Sequence, residues 1–158
     1  MTNQIDEYEV EKISSDDNVS RGCYIPPGID PESNFPFPSA HPAESVYWRK
    51  YANIIESVHE RGCKLARERS TKKDLVVEYV GAITASVKSI RDIKTERGYC
   101  VEVDHLPENG DSSHAHLCIV NPNGLRKFKK FPPNDRIELV AMLCKNSFGD
   151  LEKHNCGT

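Results

Sequence analysis

Between Ala43 and Glu60 the apolar residues Tyr47, Tyr51, Ile54, Ile55 and Val58 fall at i, i+4, i+7, i+8 and i+11. That is one face of a helix, with Arg49, Lys50, Asn53, Glu56 and Glu60 opposite. Pro42 stands where a helix start tolerates proline, and Gly62 where a helix ends. KLARER and LVVEYVGAIT flank the polar run Ser70 to Asp74, which predicts two strands joined by a hairpin loop. Thr84 is placed to cap a short helix, ASVKSIRDIK, that presents Val87, Ile90 and Ile93 to a core. YCVEVDH sets Tyr99, Val101 and Val103 against Cys100, Glu102 and Asp104, the period of a half-buried strand. The loop LPENGDSS leads to a further strand, HAHLCIV. NGLRKFKKFPP then leads to a last helix from near Asp135, with Ile137, Val140, Ala141 and Cys144 on one face. The elements lack the regular alternation of a parallel sheet. The prediction is an α+β fold, a mostly antiparallel sheet of about four strands packed against three helices.

Charge and proline divide the chain near residue 42. Residues 1–42 carry eight acids and two bases, net −6, so residues 43–158 carry net +3 within a total of −3. Six of the ten prolines lie between Pro26 and Pro42, in a stretch without helical or strand periodicity. Residues 1–42 are therefore expected to form an acidic, proline-rich flexible tail or strap, and residues 43–158 a single α+β domain. Tyr24, Phe35 and Phe37 are the strap's candidate partner-binding residues, for docking on the body or on another protein.

With 158 residues the chain holds one domain's worth of core. Its slight net acidity argues against a whole-protein nucleic-acid footprint, and no apolar run approaches the roughly 20 residues of a membrane span. The acidic start MTNQIDEYEVEK has no apolar leader region, so a cytoplasmic location without membrane association is expected. Cys23, Cys63, Cys100, Cys118, Cys144 and Cys156 are scattered, with no CxxC. They are read as structural thiols of a reducing compartment, with no cofactor and no metal site.

Candidate chemistry concentrates between His105 and Cys118. On a strand His114, His116 and Cys118 project together, and Asp104 and His105 end the preceding strand. Two imidazoles, a thiol and a carboxylate on one sheet face suit zinc or acid–base work, whereas a plain solvated face carries the same residue types. A second candidate is the basic loop. Arg126, Lys127, Lys129 and Lys130 alternate with Phe128 and Phe131, a pattern that suits phosphate or nucleic acid as well as a solvated connection. GxSxG, P-loop and HExxH motifs are missing.

Two resemblances attach to the same segment. Asn109-Gly110 followed by His114-Ala115-His116-Leu117-Cys118-Ile119-Val120 resembles the signature of the histidine triad nucleotide hydrolases, with Cys118 in place of the third histidine. That resemblance implies a nucleophilic His116 and a flanking His114; His105, at the end of the preceding strand, is a further candidate to assist in a hydrolase reading. Residues 75–120, through Tyr79, Gly81, Pro107, Asn109, His114 and Ala115, resemble a diffuse group of small uncharacterised bacterial proteins. The leading expectation is a non-enzymatic accessory or regulatory protein of the bacterial cytoplasm whose partner is another protein. The alternative is a phosphoester or nucleotide hydrolase centred on His116, with the basic loop holding phosphate.

Overall fold

The computed structural model describes residues 10–28, 30–39, 42–108 and 110–157. The first nine residues of the expected tail, and Asn109 of both resemblances, lie outside the described residues. Six strands build one sheet: β1 (Asn18–Ile25), β2 (Ala43–Trp48), β3 (Glu78–Ser86), β4 (Cys100–His105), β5 (His114–Val120) and β6 (Glu152–Lys153). Three helices accompany it, α1 (Ile55–Lys73), α2 (Val87–Arg91) and α3 (Pro133–Met142). All pairings are antiparallel, in the spatial order β4-β5-β2-β1-β3-β6. The fold class is α+β as expected, but with six strands rather than four.

The two added strands at the front come from residues read otherwise. β1 lies inside the expected tail, yet it sits in the middle of the sheet between β2 and β3. Val19 and Cys23 are fully buried there, and Ser20 meets Thr84 across the ladder at 2.7 Å. The prolines that follow are pinned as well. The Asn34 side chain accepts from the Tyr24 amide at 2.9 Å and donates to the Gly28 carbonyl at 3.2 Å. Glu44 accepts from the Phe37 amide at 2.6 Å and pairs with Arg21 at 3.0 Å. Phe35 and Phe37 are each 1% exposed and Tyr24 is 4% exposed. All three pack on the body, one of the two docking places expected for them, and Tyr24 keeps a small exposed edge. Apolar burial offsets the cost of ordering this proline-rich run.

β2 takes the place of the expected helix start. Glu44, Val46 and Trp48 are buried while Ala43, Ser45 and Tyr47 point to the other face, a period of two that the helical spacing masked. The helix begins only at Ile55 and then runs through the KLARER segment to Lys73, where the first of two strands and its hairpin loop were expected; the second expected strand is β3. It ends where Asp74 adopts the left-handed conformation, with Lys72 and Lys73 complementing the helix dipole. Gly62 does not end it. A Cβ at Gly62 would lie 2.2 Å from the Tyr79 ring, so the glycine lets α1 settle onto β3.

One sheet face carries the main core: Val46, Trp48, Ile83, Val101, Val103, Ala115, Leu117 and Ile119 pack with α2, α3, Phe35 and Phe148. The α2 cap is Ser86, whose hydroxyl accepts from the Ser89 amide at 3.1 Å, rather than Thr84. On α3 the buried residues are Asp135, Leu139 and Val140, followed by Leu143 in the next turn. Ile137, expected inside, is 61% exposed. On the opposite face α1 packs Cys63 and Ala66 against Tyr24, Val77 and Tyr79, and Val58 against Ala82. α1 thus covers the β1–β3 half, and among the described residues the β2–β5–β4 half of that face has no helix over it. Among the described residues no helix is long and apolar enough to cross a membrane.

Candidate functional site

The step from covered to uncovered sheet makes a groove of about 670 Å³. Its α1 wall is formed by Glu60, Arg61, Lys64, Leu65, Glu68 and Arg69, which fall on one side of the helix by spacing. From Glu60 to Arg69 this wall runs for about 13 Å, the length of about four extended residues. The floor comes from β1 and β2 through Arg21, Tyr24, Ser45 and Tyr47, and one end is closed by Glu108, Asp111 and His114. Arg61 is held by Asp111 at 3.2 Å, and Arg21 is spent on the Asn34 and Ser45 carbonyls and on Glu44. Arg69 lies over the Tyr24 ring at 4.7 Å. Among the described residues neither Lys64 nor Arg69 pairs with a carboxylate, and neither Glu60 nor Glu68 pairs with a cation. The groove therefore offers free charge of both signs above an aromatic floor.

The expected histidine cluster is divided by the pleat. In the β4–β5 register Asp104 lies opposite His116 and His105 opposite Ala115, so His105 belongs to the other face. There it is 4% exposed, edge-on to Trp48 at 4.9 Å. Its Nδ1 accepts from the Glu11 amide at 2.9 Å and its Nε2 contacts the Ser112 carbonyl at 2.7 Å, an arrangement that the tautomer protonated on Nε2 satisfies. His105 is a clamp on the segment before β1. His114 and His116 do meet, with ring centroids 5.0 Å apart. Both His114 nitrogens are occupied, Nδ1 by the Leu106 carbonyl at 2.8 Å and Nε2 by the Ser45 hydroxyl at 3.2 Å. Among the described residues no side chain hydrogen-bonds His116 to orient it or take its proton. Burial first, and the neighbouring His114 second, hold the His116 pKa below the usual imidazole range.

The other members of the row are quiet. Burial pushes the Cys118 thiol up to about 11, so it is protonated at neutral pH and a poor nucleophile or ligand. Asp104 is held by Arg126 at 2.9 Å, which ties one base of the basic loop to the sheet. Lys127, Lys129 and Lys130 are exposed. The aromatics between them turn inward: Phe131 is 2% exposed, and the half-buried Phe128 stands edge-on to it, both beside Tyr99. They anchor the loop.

No family model, curated protein or solved structure matches the chain.

A second cavity, of about 560 Å³, opens on the other side of α1 and is lined by His59, Cys63, His154 and Cys156 together with Glu56, Glu60, Lys64 and Arg67. Cys63 and Cys156 form a disulfide across 93 residues, a correction to the expectation of six separate thiols. His154 stacks flat on His59 with centroids 4.2 Å apart, and the His59 Nδ1 meets the Tyr79 hydroxyl at 2.7 Å. Two short patterns carry this cluster, His59-x3-Cys63 on one face of α1 and His154-x-Cys156 near the end. The first is visible only once residues 55–73 are recognised as helix.

Burial also lowers the His59 pKa, with the neighbouring His154 adding to it. His59 and His116 are thus harder to protonate folded than unfolded, so the unfolded chain takes up more protons as pH falls below about 6.5. Their contribution to stability is complete above that pH and is lost progressively toward the lower folded values. Urea midpoints are expected to fall between about pH 7 and pH 5, and His116→Gln to flatten the slope. An unchanged slope in that variant would remove His116 from the account.

Proposed function

We propose that the protein acts by binding, as an accessory or regulatory partner without chemistry of its own. Its groove between α1 and the uncovered half of the sheet takes a short, extended peptide segment of mixed charge from another protein. The supporting observation is the groove's pairing of free Lys64 and Arg69 with free Glu60 and Glu68 above Tyr24 and Tyr47. A ligand of one sign would meet repulsion along half of this wall, whereas an alternating one finds complementary charge and aromatic surface. A bacterial, cytoplasmic setting belongs to the same proposal and rests on the sequence resemblance.

The test is a titration of isotope-labelled protein with a peptide of alternating Lys and Glu, an all-Lys peptide, an all-Glu peptide and a single-stranded oligonucleotide. The mixed peptide is expected to shift the resonances of Tyr24, Tyr47 and Leu65. Reversing both cations, Lys64→Glu with Arg69→Glu, is expected to weaken it about ten-fold. Replacing Lys127, Lys129 and Lys130 by Ala is expected to change nothing. Oligonucleotide binding lost in that triple variant, without peptide binding, would overturn the proposal. So would hydrolysis of a nucleotide panel that disappears in His116→Ala.

A further inference from the structure

We infer that Cys63, Cys156 and His154 form a binding site for zinc that competes with the Cys63–Cys156 disulfide. The ligating atoms of these three side chains already lie within 4.8 Å of one another, although they come from positions 93 residues apart. Two thiolates and an imidazole are the donor set that zinc favours, and thiolates around a tetrahedral zinc stand about 3.8 Å apart. Reaching that spacing from a disulfide needs less than about 2 Å of sulfur movement. The cavity leaves room for it. Cys63 is buried on α1, His154 is half-buried and Cys156 is exposed, so the movable sulfur is the one on the chain's last segment. His59 is a positioning residue: its stack fixes the plane of the His154 ring, and the Tyr79 hydroxyl fixes His59 in turn. These side chains would supply three ligands, and the cavity they line would admit water as a fourth.

The exchange balances with a dithiol as reductant. The dithiol gives two electrons and two protons to the disulfide, leaving two protein thiols and its own disulfide. Zinc then displaces the two thiol protons to solvent. In an oxidising setting the cross-link is sulfur to sulfur, and in a reducing one it is sulfur to metal. Either form fastens the chain's end to α1. This inference stands independently of the peptide-binding proposal.

The test uses the full chain, oxidised or reduced with a phosphine, exposed to zinc and exchanged into metal-free buffer. One zinc per reduced chain and none per oxidised chain is the expected result. Cobalt in place of zinc is expected to give a thiolate-to-cobalt charge-transfer band that is absent in Cys156→Ser. That variant and His154→Ala should each lose at least about ten-fold in zinc affinity, while Cys100→Ser and His116→Ala keep it. His154→Ala still forms the disulfide when oxidised, which reports that it folds. Zinc bound equally by the oxidised protein would overturn the inference. So would a reduced protein that binds none, or binding lost in His116→Ala and retained in Cys156→Ser.

Discussion

Reducing the Cys63–Cys156 disulfide in the presence of a chelator is expected to lower the stability by about 3 kcal/mol. The bond closes a loop across 93 residues, for which chain-entropy arguments give an upper figure of about 4.6 kcal/mol. The folded state recovers part of that when the link opens, because the final segment gains freedom. It stays attached by few other contacts: the two-residue β6 ladder on Gly81 and Ala82, the His154 amide bond to the Val80 carbonyl at 3.0 Å, and the His59 stack. Thermal unfolding should shift down by about 6–12 °C for a chain of this size. Cys156→Ser is expected to show the same loss without reductant and no further response to it. Equal urea midpoints for the oxidised and reduced protein would remove the bond from any account of stability.

Gly62→Ala is expected to cost about 2 kcal/mol, although alanine is the better helix former by about 1 kcal/mol. The new Cβ would lie 2.2, 2.5 and 2.6 Å from three atoms of the Tyr79 ring. That ring is 2% exposed, is packed on Tyr24 and holds His59 by its hydroxyl, so it has nowhere to go. α1 must lift instead, which separates Cys63 and Ala66 from Val77. The two signs are separated by a double-mutant cycle. In a Tyr79→Leu background the same alanine should cost little or become stabilising, a coupling that distant sites do not show. Full additivity of the two substitutions would mean that the close approach is not what requires glycine at 62.

The later half of the fold was legible in the sequence because its patterns are unopposed. β4 and β5 alternate cleanly, and Val87, Ile90 and Ile93 enter the core as their spacing requires. The earlier half carried competing signals. Tyr47, Tyr51, Ile54, Ile55 and Val58 satisfy a helical spacing, while Glu44, Val46 and Trp48 satisfy a strand, and the sheet decides in favour of the strand. Gly62 looked like a helix end because a glycine kept for contact with a distant ring carries no local mark of it. β1 was hidden by Arg21, Gly22 and the prolines, and the partners of its Ser20, Arg21 and Tyr24, which are Thr84, Glu44 and Asn34, are assembled only by the tertiary structure. The site was legible to the same degree. The neighbouring His114 and His116 followed from period two, but His105 fell on the far side by the same rule applied across the turn. The Cys63–His154–Cys156 cluster joins the middle of the chain to its end, and neither part announces the other.

β6 has one more consequence. It is two residues long and binds β3 through Gly81, where the backbone carbonyl of Glu152 occupies the space a Cβ would need. Without that final segment, β3 would present open amides and carbonyls along the rim of the sheet, a template onto which a second molecule can zip. At the opposite rim Arg91 already bonds the Val103 carbonyl and the Glu102 carboxylate accepts from the Val103 amide. Residues 152–153 cover part of that rim, and a chain trimmed before Asp150 is expected to self-associate more than the untrimmed one at equal concentration, as size-exclusion chromatography would read.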